Sequence, residues 1–129
     1  MRALLDTHVF LWWLLDREQL GRRARRILRD SRSVALWSVA SSWELSIKVS
    51  LGKVRVPGRL RNYLPQKLQE QGITTMLVEH AHAFEVAELP QHHRDPFDRM
   101  LIAQARVERV PILTADEQFL AYDVEVVWD

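Results

Sequence analysis

The chain has 129 residues, 47% of them apolar, and a formal net charge of +1, which fits one domain, 1–129, with a buried core. It contains no cysteine, so disulfides and thiolate metal sites are excluded and a reducing cytosol is suited. Asp6 is an acid too early for a secretory signal, and the apolar run from Val9 to Leu15 is too short to span a bilayer, so a cytoplasmic protein without membrane attachment is expected.

In chain order, Ala3-Leu4-Leu5 reads as a buried strand, and Val9, Trp12, Trp13 and Asp16 follow at helical spacing. Leu20, Ala24, Ile27 and Leu28 recur at i, i+4, i+7 and i+8 with arginines opposite, which predicts an amphipathic helix. Residues 33–37 read as a second strand. A helix is expected from Ser41 to Leu51, stopped by Gly52, and another from Pro65 to Gly72 with proline in its first turn. Thr74 to Val78 is the third strand, residues 79–88 a short helix, and Asp95-Pro96 the start of a long helix through Phe97, Leu101, Ala105 and Glu108. Residues 111–114 and 124–127 complete five strands. Strands alternating with helices predict an α/β domain: a mostly parallel five-stranded sheet between helices, in three α/β/α layers.

The small net charge hides an uneven distribution. Residues 1–69 hold 14 Lys/Arg against 5 Asp/Glu (+9), whereas residues 70–129 hold 4 against 12 (−8). Residues 22–32 carry Arg22, Arg23, Arg25, Arg26, Arg29 and Arg32 around the single Asp30, and Leu45 to Gln69 has six Lys/Arg and no acid. Solvated helix faces would explain either stretch, but a polyanion such as RNA or an acidic protein segment is the sharper reading.

In parallel βαβ units, strand C-termini and helix N-termini share one rim, where ligands bind. Asp6 ends the first strand, Glu44 falls in the first turn expected after the second, Asp98 in the first turn of the long helix, and Asp116 follows the fourth strand. Each has a structural explanation. Asp6 or Thr7 can cap a helix, Ser41 to Glu44 and Thr114 to Glu117 fit capping boxes, and Asp95 before Pro96 is a natural N-cap with Asp98 favouring the helix dipole. Together the four are expensive, because clustered carboxylates repel one another unless a cation neutralises them. Oxygen donors without cysteine or a histidine cage suit Mg²⁺ or Mn²⁺ better than zinc, and such sites activate water against phosphodiesters.

The residues Leu5-Asp6-Thr7-His8-Val9-Phe10-Leu11-Trp12, Ser41-Ser42-Trp43-Glu44-Leu45-Ser46-Ile47-Lys48, Gly52-Lys53-Val54, the run from His93 to Ala105 that contains Asp95-Pro96-Phe97-Asp98-Arg99, and Thr114-Ala115-Asp116 occur in this order along nearly the whole chain. The ordered set resembles PIN-domain ribonucleases of the VapC toxin type. The resemblance implies a Mg²⁺- or Mn²⁺-dependent endoribonuclease, a homodimer and a cognate VapB-type antitoxin. It makes Asp6, Glu44 and Asp98 metal-site acids, Asp116 a more peripheral one, and Thr7 and Thr114 hydroxyl positions lining the site. Asp95 is left as the cap. His8 lies beside the site, and Lys48 and Arg99 are placed to meet phosphate or to pair with a neighbouring acid.

No phosphate-binding glycine loop and no covalent nucleophile motif is present. His80-Ala81-His82 and His92-His93 look like ligand pairs, but i, i+2 residues on a helix point apart, and no histidine metal site is expected. Trp12, Trp37 and Trp43 are expected in the core and Trp13 nearer the surface, available to a dimer or antitoxin contact. A non-cleaving RNA- or partner-binding PIN-like module is the alternative. A haloacid-dehalogenase-type phosphatase ranks lower, because it needs an acid two residues past Asp6 where His8 stands. A phospho-receiver domain ranks with it, for want of an acid pair on the first strand.

Overall fold

A computed structural model describes residues 1–14 and 18–128. Asp16, expected on the first helix, and the end of the apolar run at Leu15 lie outside the described residues. Among those described, the elements are β1 (Arg2–Leu5), α1 (Thr7–Leu14), α2 (Arg22–Arg29), β2 (Val34–Ser38), α3 (Val39–Ser50), α4 (Leu60–Glu70), β3 (Thr74–Met76), α5 (His80–Glu88), α6 (Pro96–Glu108), β4 (Ile112–Leu113) and β5 (Val126–Val127). A 3₁₀ turn, Glu117–Ala121, connects β4 to β5 and was not anticipated.

The sheet order is β3-β2-β1-β4-β5 and every pairing is parallel. Side chains alternate between the two faces of each strand, and the alternation builds two cores. Ala3, Leu5, Trp37, Leu113 and Val127 face one core with Val9, Phe10, Ala24, Leu45, Leu64 and Leu68 from α1, α2, α3 and α4. Leu4, Leu36 and Ile112 face the other with Leu89, Leu101, Ile102 and Phe119. Buried side chains such as Leu4 and Ile112, both 0% exposed, each contribute about 1.5–3 kcal/mol relative to exposure. The three α/β/α layers follow from these two cores.

Two helix starts and the burial of one tryptophan depart from expectation. Helix α3 starts at Val39 rather than Ser41, because the Ser38 hydroxyl caps it by accepting from Ala40 N–H at 3.0 Å. Ser41 is therefore inside the helix, and Glu44 lies in the second turn rather than the first. Helix α4 starts at Leu60, five residues before Pro65; the proline is exposed, so the Arg61 carbonyl that it leaves without an N–H partner is not trapped in the core. Trp43 is 62% exposed, not core, and stands edge-on to Phe97. Trp37 is fully buried as expected, while Trp12 and Trp13 are half-buried.

Helix α6 is capped as its sequence predicts. Asp95 accepts from Phe97 N–H at 2.9 Å and Asp98 N–H at 3.0 Å, with Pro96 at the first helical position. Gly21 lets α2 dock against the end of β5, since a Cβ there would lie 2.5 Å from Trp128 O. Ala24 N–H donates to that same carbonyl at 3.2 Å.

Candidate functional site

Strand order reverses at β1, with β2 and β3 on one side and β4 and β5 on the other. A crevice opens at such a switch, above the strand C-termini. Leu5 pairs with Leu113, and Asp6 N–H donates to Leu113 O at 3.0 Å, so Asp6 leaves the sheet beside Thr114. The Thr114 hydroxyl donates to Asp6 Oδ2 at 2.8 Å and accepts from Asp116 N–H at 3.0 Å. Asp116 also caps the 3₁₀ turn, accepting from Gln118 N–H at 2.9 Å. Its capping role and its place on the rim are therefore both realised.

On the other side of Asp6, α1 begins at Thr7, whose hydroxyl donates to Glu44 Oε1 at 2.7 Å and lies 2.9 Å from Ser41 Oγ. Glu44 Oε2 accepts from Lys48 Nζ at 2.8 Å, one helical turn on. The i, i+4 spacing on α3 puts the two side chains on one helix face. Lys48 pairs with a site acid, one of the two roles expected of it.

Asp98, at the third position of α6, completes the rim. Its carboxyl is pushed up to about 8, first by burial and then by the charges of Asp95, Asp6, Asp116 and Glu44. Burial also raises the Asp6 carboxyl, with Glu44 adding to it, while the Thr114 hydroxyl, His8 and the Thr7 backbone pull it back. Asp98 thus feels the charge of the other three predicted acids across the rim. Among the described residues, no three His, Asp or Glu side chains close around one point. Mg²⁺ asks for less, since it keeps several waters and takes only one or two carboxylates directly. A set of hard oxygen donors whose repulsion already favours protonation of Asp98 fits such an ion, and offers zinc neither thiolate nor an imidazole cage.

His8 is exposed but near enough for its charge to act on Asp6. Arg99 does not line the site. It is 6% exposed, and its guanidinium donates to the carbonyls of Pro90 at 2.8 Å and Val86 at 3.3 Å and to Tyr122 Oη at 3.1 Å. Successive residues on a helix point about 100° apart, so Arg99 turns inward where Asp98 faces the rim. His93, dismissed as part of a doublet, bonds Asp98 Oδ2 through Nε2 at 3.3 Å. Its position five residues before Asp98 was the available signal; Tyr122, its other partner, carried none. The His80/His82 pair splits as expected. His82 is buried and accepts from Glu79 N–H at 3.0 Å, whereas His80 is exposed and stacks on Phe84.

The family model described as PIN domain matches residues 3–125. The chain belongs to the PIN-domain family. It is 38% identical over 58 residues to Ribonuclease VapC16 of Mycobacterium tuberculosis (strain ATCC 25618 / H37Rv). That match spans 45% of this chain and 41% of that protein, less than half of either. Among solved structures, VapBC2 from Rickettsia felis, bound to a DNA fragment from its promoter, aligns over 100% of both chains with a TM-score of 0.73 at 13% identity. VapBC-5 from Mycobacterium tuberculosis, a member of the VapBC family of toxin–antitoxin systems, aligns over 98% of this chain and 97% of that one, with a TM-score of 0.61 at 21% identity. At such identities the structural likeness establishes the PIN fold. No described helix is long and apolar enough to cross a membrane.

Proposed function

We propose that this PIN-domain chain is a Mg²⁺- or Mn²⁺-dependent endoribonuclease, the toxin of a VapBC-type toxin–antitoxin pair acting in the cytoplasm. The observation that carries the reading is the rim shared by Asp6 after β1, Glu44 on α3, Asp98 on α6 and Asp116 after β4, with enough mutual repulsion to help push Asp98 up to about 8. A divalent ion held there would supply Lewis-acid stabilisation of phosphoryl oxygens and would lower the pKa of an attacking water. Asp6 and Asp98 offer it carboxylate oxygens, and Thr114 holds one Asp6 oxygen in place. Lys48 and Thr7 fix Glu44 so that it faces the same crevice.

The RNA backbone is held by the basic half of the chain. On α2, Arg23, Arg26 and Arg29 are exposed, and a groove of about 600 Å³ is lined by Arg22, Arg25, Arg26, Arg29 and Arg32 with Asp30. The partial match to Ribonuclease VapC16 and the fold shared with VapBC complexes support the nuclease and toxin roles and a cognate VapB-type antitoxin, and a homodimer is part of the same proposal on the motif resemblance alone.

Purified chain with Mg²⁺ or Mn²⁺ should cut structured cellular RNA at discrete positions, and EDTA or Asp6→Asn should abolish the cuts. Undiminished cleavage by Asp6→Asn would sink the proposal. Calorimetry that finds no divalent-ion binding beside intact RNA binding would instead support a non-cleaving PIN-like module. The toxin role predicts that expression of the chain alone arrests growth and that a neighbouring small open reading frame relieves the arrest.

A further inference from the structure

His93 lies just ahead of α6, and its ring is almost wholly enclosed, with 8% of the side chain exposed. Both ring nitrogens are engaged: Nδ1 lies 2.8 Å from Tyr122 Oη and Nε2 3.3 Å from Asp98 Oδ2. The bonding around the tyrosine oxygen decides which nitrogen carries the proton. Tyr122 Oη accepts from Arg99 Nη1 at 3.1 Å and from His93 backbone N–H at 3.2 Å. Two N–H donors occupy the accepting capacity of a phenol oxygen, which leaves its own O–H to donate to Nδ1. With Nδ1 accepting, the neutral ring carries its hydrogen on Nε2, and Nε2–H donates to Asp98. The direction of the chain cannot reverse, because a guanidinium has donors only, and Arg99 is anchored separately on Pro90 O and Val86 O.

We propose that Arg99, Tyr122 and His93 form a positioning chain for Asp98, setting the tautomer of His93 and through it the orientation of the Asp98 carboxylate on the rim. None of the three touches substrate in this scheme. Arg99 holds the tyrosine hydroxyl, the hydroxyl holds the imidazole, and the imidazole commits one carboxylate oxygen so that the group cannot swing freely. The role in metal binding rests on the reading of the rim as a divalent-ion site. Outer groups that orient a ligating side chain characteristically change metal affinity by about 10–100-fold when removed. The chain also accounts for Arg99 beside a site acid yet turned away from the crevice. It reaches Asp98 through two intermediaries rather than by a salt bridge.

Two measurements test the chain. In metal-free wild-type protein, at a pH where the ring is neutral, ¹⁵N NMR of the imidazole should show the hydrogen of His93 on Nε2; a resonance pattern with the hydrogen on Nδ1 would overturn the proposal. Tyr122→Phe keeps the ring that packs at 5.4 Å from His93 and deletes only the hydroxyl. It should mix the tautomers and weaken Mn²⁺ binding by about 10-fold in calorimetry. His93→Leu should weaken it by about 10–100-fold, while His93→Gln, whose amide supplies an N–H donor, should stay within about threefold of wild type. A folded His93→Leu protein with wild-type Mn²⁺ affinity overturns the proposal. If wild type binds no Mn²⁺ at all, the metal-site reading fails, and the tautomer measurement still decides the chain of bonds.

Discussion

At the rim, Asp6 and Glu44 are each 7% exposed and are held by Thr114, Thr7 and Lys48, whereas on α2 Arg23, Arg26 and Arg29 stand in solvent within seven residues of one another. Charges of one sign are concentrated in both regions, but by opposite means. The acids come from distant parts of the chain and are brought together by strand order, in surroundings where charges interact strongly. The arginines are neighbours in sequence and need only a helix to share a surface, where water and salt screen them. A buried cluster depends on each member's position and on a counter-ion; an exposed stripe depends on the sum. The same distinction separates chemistry from docking in the proposed reaction.

The comparison can be broken by substitution. Asp6→Asn should lower kcat on the order of 10²–10³-fold, the scale for removing one preorganised electrostatic group, as read in single-turnover cleavage. The triple change Arg23→Gln, Arg26→Gln, Arg29→Gln should act on KM instead, weakening RNA binding about 10-fold at moderate salt and flattening its salt dependence. A large loss of kcat in the triple variant would erase the distinction between the two regions.

Stability against pH sharpens it. The folded-state pKa of Asp98, about 8, lies above its ordinary value of 3.8. The group therefore favours the fold fully below about pH 4, and this contribution is lost as pH rises through about 8. In EDTA, the Tm of wild type should fall between pH 5 and 8.5 more than that of Asp98→Asn, and Mn²⁺ should restore more of it at the higher pH. Identical pH profiles for the two proteins would mean that the rim does not strain Asp98. The smallest effect belongs to the basic region. Asp30, one-third exposed, pairs at 3.2 Å with the solvent-exposed Arg32, and Asp30→Asn should leave Tm unchanged within error in a thermal melt.

Much of the rim was legible because the topology follows from hydrophobic periodicity. Five strands alternating with helices determine which ends share an edge, and all four acids fall near those ends. Motif residues did the rest, with Asp95-Pro96-Phe97-Asp98 announcing its own cap. Glu44 was placed one turn too early because Ser38 and Ser41 are equally good caps by composition, and only the chain leaving β2 selects Ser38. Trp43 was assigned to the core by its spacing, but α3 turns that side chain toward Phe97 at the surface. The histidines carry no expectation of a metal site, and the bond from His93 to Asp98 is not legible because a doublet in a loop has no periodicity to show where it points, and Tyr122 lies 29 residues away.

The sequence by itself determined the α/β class, the order of elements, the four acids, the arginine helix and the membership of the PIN-domain family. Those properties are local or periodic, and local propensity and apolar spacing are written residue by residue. Only the tertiary structure decided that Thr114 and Thr7 grip Asp6 and Glu44, that Arg99 turns away from the rim, and that His93 joins Tyr122 to Asp98. Each of these is a contact of a few ångströms between segments far apart in the chain, and rotamer and packing select it only after the sheet has brought its edges together.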